Sequence, residues 1–179
     1  MLLTDHVDAF WTTLPLDYDG KSLKSLTQDD VNFDLVPLVD EDGDKKGGDA
    51  GESAGAVDEA VILTAVKAAL EARVADVRAS KRLTESPSCL VSSQAGPDRR
   101  LQRILAHTGQ MPASPPVLEL NMKHPLVRAI AHAKTTGKSE DVADLSYLLF
   151  EQAQILDGEI PDDPAAFTER LNRLVQRGI

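Results

Sequence analysis

This chain has one cysteine and no long apolar run, and only 4% of its residues are aromatic. The single cysteine, Cys89, cannot form an internal disulfide, and no Asn-x-Ser/Thr glycosylation site occurs. No run of 18 apolar residues is present, so the sequence predicts no membrane span. The first residues include Asp5 and Asp8 but no basic segment, which argues against a signal peptide. Together these features predict a cytoplasmic protein.

Acidic and basic residues are separated along the chain, whose formal net charge is −10. Residues 1–60 hold 15 acids and 4 bases, residues 61–138 hold 5 acids and 12 bases, and residues 139–179 hold 9 acids and 3 bases. The basic middle segment, residues 61–138, raises the alternative of a nucleic-acid-binding adaptor. Its arginines near residue 100 alternate with aliphatic rather than aromatic residues, however, and the acidic flanks would repel phosphate. We therefore expect no nucleic-acid partner.

The 179 residues are enough for one ordinary domain plus a fragment, or for two small domains. Residues 1–38 predict a short helix over 3–12 and a hairpin whose turn is Asp19-Gly20, which is too little to form a domain. Residues 39–56 are acidic and glycine-rich and predict a flexible linker. Residues 57–179 are expected to form the folded domain.

Local patterns in residues 57–179 predict three short strands and about five helices. Strands are expected within residues 74–83, 89–91 and 117–120, with a turn at 85–88 between the first two. Helices are expected over residues 57–73 and 98–107, from about Pro125 to Gly137, from about Ser139 to Asp157, and from Pro164 onward. This arrangement predicts an α+β fold with a small three-stranded sheet.

The two terminal helices carry more apolar surface than we expect a small domain to cover. The second of them has Phe167, Leu171, Leu174 and Val175 on one face. Leaving these four side chains in water would forfeit roughly 6–12 kcal/mol, at about 1.5–3 kcal/mol each. A whole domain is stable by only about 5–15 kcal/mol. The stripe must therefore be buried, either against its own domain or against a second copy in a four-helix bundle.

Several separated stretches follow one another in an order that a known family shares. They are VRASKRLTESP at residues 77–87, LELNMKHPLV at 118–127, LLFEQA at 148–153 and DPAAF at 163–167. These stretches resemble the C-terminal domain of the heat shock protein 90 chaperones, in particular the bacterial form. Residues 3–10 and 18–21 resemble the end of that family's middle domain. The likeness covers the chain apart from the linker.

The resemblance implies a fragment that binds rather than catalyses. In this family an ATPase domain and most of the middle domain come first, and their nucleotide-binding motifs have no counterpart in these residues. ATP and magnesium are thus expected only in the missing part, and no enzyme activity is expected of this chain. The family's C-terminal domain is its permanent dimerisation module, which implies a homodimer with unfolded or partly folded client proteins as partners.

Two sets of site residues follow from the stripe and the resemblance together. The dimer interface is predicted to comprise Leu145, Leu148, Leu149, Gln152, Leu156, Phe167, Leu171, Leu174 and Val175. Leu101, Ile104 and Leu105 share one face of the 98–107 helix, where ordinary core packing is one interpretation. In the resembled family this helix exposes apolar side chains to clients, which makes the three residues candidate client contacts.

The remaining chemical groups form no catalytic or metal-binding pattern. The four histidines lack the spacing of metal ligands, and a surface or capping role is the better interpretation. Cys89 lies among apolar residues with no histidine base motif, which indicates a buried strand residue rather than a nucleophile. The acidic run from Asp40 to Asp44 lacks the glutamate that closes a calcium loop. No metal, cofactor or catalytic residue is therefore predicted.

Overall fold

The computed structural model describes residues 17–22, 54–92 and 114–178, together with Arg99, Leu101, Ile104, Leu105 and Gly109. The strands of this described part are β1 (Asp17–Tyr18), β2 (Lys21–Ser22), β3 (Asp76–Ala79), β4 (Ser88–Val91) and β5 (Val117–Leu120). Its α-helices are α1 (Ala54–Leu70), α2 (Pro125–Thr135), α3 (Ser139–Leu156) and α4 (Pro164–Gln176). A 3-10 helix, Glu71–Arg73, follows α1.

The α+β class is confirmed, with four α-helices and one three-stranded sheet in the described part of the chain. Of the predicted 98–107 helix, only four residues are described within the predicted bounds, and all four are helical. The predicted 3–12 helix and residues 39–53 of the predicted linker lie outside the described residues. Helix α1 begins at Ala54, three residues before the predicted start.

The β1–β2 hairpin has the predicted Asp19-Gly20 turn. Asp17 pairs with Ser22 and Tyr18 with Lys21 in antiparallel register. Both turn residues have positive φ, 53° for Asp19 and 72° for Gly20. This is the conformation of a type I′ turn, which suits two-residue hairpins because its twist matches that of the strands.

The sheet has the order β3-β5-β4, so the last strand in the sequence lies between the other two. Strand β5 runs parallel to β3 and antiparallel to β4. The turn at residues 85–88 therefore connects two strands that are not neighbours. Leu118 and Leu120 join the hydrophobic core, whereas Glu119 between them points to the opposite face of the sheet.

Short capping signals fix where the helices begin and end. Helices α2 and α4 both start with proline, where the missing N–H costs nothing, and the preceding residues cap them. The backbone N–H of Leu126 donates to Nδ1 of His124, and that of Ala166 donates to Oδ1 of Asp163. Helix α3 ends at Leu156, and the positive φ of Gly158, two residues later, is part of a Schellman motif.

Helix α3 is the central element of the fold, because it packs against α1, α2, α4 and β4. Its Leu145 and Leu149 are completely buried. The hydroxyl of Ser88 on β4 donates to the carbonyl oxygen of Leu149 at 2.7 Å, which ties the sheet to the helix. The hydrophobic core thus lies between one face of the sheet and the helices.

Candidate dimerisation and client-contact surfaces

A ladder of ion pairs joins α3 to α4 and shows that the two helices form an antiparallel hairpin. Acids on α3 face arginines on α4 in reversed order: Glu151 with Arg170, Asp144 with Arg173, and Asp141 with Arg177. The first two contacts measure 2.5 and 2.8 Å. The hairpin is therefore held together by charge as well as by apolar packing.

Tyr147 on α3 strengthens the hairpin by receiving two guanidinium groups. Those of Arg170 and Arg73 lie 4.8 and 5.4 Å from the centre of its ring, within the range of cation–π attraction. Glu151, which accepts from Arg170, is buried enough that desolvation raises the pKa of its carboxyl despite that hydrogen bond.

The nine residues of the predicted dimer interface divide into two groups. The chain's own core already encloses four of them: Leu145, Leu148, Leu149 and Leu174. Buried side chains of this kind offer a second copy almost no surface. The other five lie at the surface or partly so; Leu156 is 69% exposed, Val175 is 66% exposed, and Gln152, Phe167 and Leu171 are half-buried.

Sequence reasoning missed two exposed apolar residues beside Leu156. Ile155 is the neighbouring residue of α3, and Ile160 in the turn before α4 is 79% exposed. Ile160 stands outside every predicted helix, so no helical periodicity could mark it. A lone isoleucine next to the Asp157-Gly158 helix end was the available signal. Among the described residues, the most exposed large apolar side chains are thus Ile160 and Leu156 at the turn of the hairpin and Val175 on α4.

The three candidate client contacts differ in exposure. Leu101 is buried, Leu105 is half-buried and Ile104 is 39% exposed. Arg99, in the same helical stretch, forms buried ion pairs with Asp157 and Glu159 at the hairpin turn. The structure therefore places the candidate client residues next to the α3–α4 hairpin, with one side packed and Ile104 facing outward.

Comparison with known proteins identifies the family. The family model described as Hsp90 protein matches residues 1–179, the whole chain. This chain belongs to the Hsp90 family. It is 56% identical to the chaperone protein HtpG of Rhodopseudomonas palustris strain BisB5 over 179 residues, which is all of this chain and 28% of that relative. The HtpG proteins of Azorhizobium caulinodans and Rhizobium etli are 46% and 38% identical, again over the whole chain and 27% of each relative.

The family resemblance read from the sequence is thus confirmed, and the chain spans about 28% of the length of its Rhodopseudomonas relative. No helix in the described part of this Hsp90 family chain is long and apolar enough to cross a membrane. Within the same residues, no group of three or more metal-ligating side chains occurs.

Internal ion pairs hold several of the described cations in the basic middle segment of the Hsp90 family chain. Arg78 and Arg82 both bind Glu119 on the central strand, at 2.7 and 2.8 Å. Lys67 binds Asp76, and the Arg99 pairs belong to the same set. Cations held in this way are not free to bind phosphates, so the structure offers no support for the nucleic-acid alternative.

Glu119 is a residue whose importance the sequence did not reveal. It lies directly opposite Arg78 on β3 and Cys89 on β4. Burial by itself raises the pKa of Glu119, but hydrogen bonds from Arg78 and Ser80 and the charge of Arg82 outweigh it, so the pKa is lowered. Glu119 thus stays ionised and binds groups from two strands and from the loop between β3 and β4.

The histidines and the cysteine that the structure describes have structural roles. His124 caps α2 through its ring nitrogen, as the capping interpretation predicted, and His132 is exposed. Cys89 lies in β4, where burial raises the pKa of its thiol to about 11. A thiol with so high a pKa carries little thiolate at neutral pH and is a poor nucleophile. His6 and His107 lie outside the described residues.

Proposed function

We propose that this chain is the homodimerisation and client-contacting module of an ATP-dependent Hsp90-type chaperone of the cytoplasm. Membership of the family supports the chaperone role. ATP and magnesium would be bound by other parts of the full-length protein, and the chain itself would bind rather than catalyse. The observation that supports this most directly is the apolar surface that Leu156, Ile160 and Val175 leave exposed on the α3–α4 hairpin.

Phe167, Leu171 and Val175 are spaced by four residues and therefore follow one face of α4. The first two are half-buried against the chain's own core, whereas Val175 is exposed. Leu156 and Ile160 add two strongly exposed side chains at the turn. Each large apolar side chain that moves from water to a buried site contributes about 1.5–3 kcal/mol. Pairing with a second hairpin around a two-fold axis would bury this face in a four-helix bundle.

The first prediction is that Leu171→Asp combined with Val175→Asp converts the dimer to a monomer. Two charges would enter the centre of the interface, where they would lose their water and meet like charges from the partner. We expect the dimer dissociation constant to rise at least about 100-fold, equivalent to about 2.7 kcal/mol. Analytical ultracentrifugation would show a mass close to 19.3 kDa in place of twice that value.

A matched control is available about 100° around the same helix. Asn172 and Gln176 are both exposed, and Asn172→Asp with Gln176→Glu adds the same two negative charges. This control should remain a dimer. A wild-type chain that is monomeric at every concentration, or a dimer that survives the change at Leu171 and Val175, would contradict the proposed interface.

The second prediction concerns client contact at Ile104. Its exposed fraction is 39%, so complete burial by a client would contribute about 1 kcal/mol. Ile104→Ser is therefore expected to weaken binding of reduced, carboxymethylated α-lactalbumin, a permanently unfolded protein, by about fivefold. Fluorescence anisotropy with the labelled probe measures the change. Two copies of such a weak site in a dimer would act together through their effective concentration.

Val61 on α1 provides the control, because its side chain is also 39% exposed. Val61→Ser should leave the affinity for the unfolded probe unchanged. Equal losses in the two variants would show that the probe binds apolar surface without selection. A loss of thermal stability in Ile104→Ser would instead assign Ile104 to the core.

A further inference from the structure

The turn between α3 and α4 presents two kinds of side chain in alternation. Leu156 and Ile160 are strongly exposed. Between them, Asp157 and Glu159 both bind the same arginine: Nε of Arg99 donates to Oδ2 of Asp157 at 2.8 Å, and Nη2 donates to Oε1 of Glu159 at 2.7 Å. The same short turn therefore offers apolar groups to solvent and carboxylates to another part of its own chain.

The backbone of this turn is fixed by hydrogen bonds. The N–H of Gly158 donates to the carbonyl of Ile155 at 3.0 Å, and the N–H of Glu159 donates to the carbonyl of Gln154 at 2.8 Å. These two bonds form the Schellman motif, which determines the path of the chain out of a helix. The two carboxylates are consequently held in place relative to the exposed Leu156.

Arg99 lies at the other end of this contact and close to the candidate client residues. Its side chain is only 7% exposed, and the two carboxylates accept from different nitrogens of its guanidinium. Bonds of this kind are stronger and more directional than neutral ones. Leu101 follows two residues later and Ile104 five residues later, and all three residues are helical. The position of Ile104 therefore depends on where Arg99 is held.

We propose that Arg99 is a positioning residue that links the client-contact residues to the dimerisation hairpin. A second copy that covers Leu156 and Ile160 would restrict the turn, and with it the carboxylates that hold Arg99. Client binding at Ile104 and dimerisation would then strengthen each other by the same factor, as linkage requires. This inference rests on the proposed function and adds a coupling between its two surfaces.

The experiment measures the dimer dissociation constant of the full 179-residue chain with and without a saturating fluorescein-labelled, leucine-rich decapeptide. At saturation each copy holds its own peptide and none bridges two copies, so the measurement reports on coupling within one chain. In the unaltered chain we expect the peptide to tighten the dimer by about fivefold or more, the lower end of typical coupling. Arg99→Gln should bring the ratio of the two dimer dissociation constants, without and with peptide, to within about twofold of one. Arg99→Lys should restore part of this ratio, since an ammonium pairs with one carboxylate at a time.

Asp162 supplies the control, because it lies in the same turn and binds Arg73 through an exposed ion pair of 3.0 Å. Asp162→Asn should leave the ratio as it is in the unaltered chain. Should Arg99→Gln fail to fold, Asp157→Asn and Glu159→Gln each keep an acceptor and should each lower the ratio. A dimer that does not respond to the peptide, or responds equally in Arg99→Gln, would overturn this inference alone. A chain that stays monomeric throughout would overturn the proposed function together with it.

Discussion

Leu174→Asp is expected to unfold the domain rather than only to separate two copies. Leu174 is 2% exposed and belongs to the core cluster that includes the buried side chains of α3. Removing a buried leucine side chain to the β-carbon costs about 2–5 kcal/mol, and an unpaired carboxylate in the same place adds a desolvation cost. Since domains are stable by about 5–15 kcal/mol, the variant should lose most of its stability. Circular dichroism during thermal unfolding measures this loss.

The residue next to Leu174 provides a matched control for this variant. Val175→Asp places the same charge one position along the helix, where the native side chain is 66% exposed. We expect this variant to keep the helical signal and the cooperative unfolding of the single chain while dimerisation weakens. A folded, monomeric Leu174→Asp chain would mean that Leu174 contacts a second copy after all.

Glu119→Gln is expected to have the second largest effect, a loss of about 3 kcal/mol in the free energy of unfolding. Breaking a buried ion pair costs about 3–5 kcal/mol because the remaining charge stays desolvated. We expect the lower end of this range, because the side chain of Arg78 is about one-third exposed and therefore stays partly hydrated. The side chain of Arg82 is 17% exposed. Arg78 and Arg82 would each retain only a neutral acceptor. Urea unfolding at pH 7 measures the difference between the two proteins.

The pH dependence of the difference in unfolding free energy shows whether the charge of Glu119 or its packing stabilises the fold. The pKa of Glu119 is lower in the folded chain than its ordinary value of 4.5. Its ionised form therefore contributes its full stabilisation above pH 4.5, and this contribution disappears as the pH falls through the lowered folded pKa. The gap in stability between the unaltered chain and Glu119→Gln should narrow over that acidic range. A gap that is constant from pH 7 down to acid would contradict an electrostatic role.

Elements with strong local signals could be predicted from the sequence. Strand β5 has the predicted bounds, 117–120, because a short β-branched and aliphatic run follows two prolines. Helix α4 begins where Asp163 and Pro164 indicated, since a capping side chain and an N-terminal proline act on the nearest backbone groups only. The Asp19-Gly20 turn was predictable for the same reason.

What covers an apolar face could not be read from periodicity. Leu174 and Val175 were assigned to the same stripe, yet one is enclosed by its own chain and the other is exposed. The spacing of apolar residues gives the direction of a face but not the number of neighbours packed around it. Helix α3 has neighbours on most sides, which is why its Leu145 and Leu149 are buried in the core.

Pairings over long sequence distances were also beyond local reasoning. Glu119 meets Arg78, 41 residues earlier, because β5 inserts between β3 and β4. In the sequence, a single acid inside an apolar strand suggests a side chain that faces water. Likewise, nothing in the pattern around Arg99 indicated that its partners would be Asp157 and Glu159. Both cases depend on the order of strands and helices in space.

The order of the sheet has a consequence for how such a module can diversify. Strands β4 and β5 are adjacent and antiparallel, so both ends of the 92–116 connection are anchored on the same rigid scaffold. Lengthening a connection of this kind is cheap, since doubling its length adds only about 0.6 kcal/mol of closure entropy. Segments of different size and character could be grafted there, provided that an arginine at the position of Arg99 still reaches Asp157 and Glu159. Recognition could then change while its connection to the assembly helices is kept.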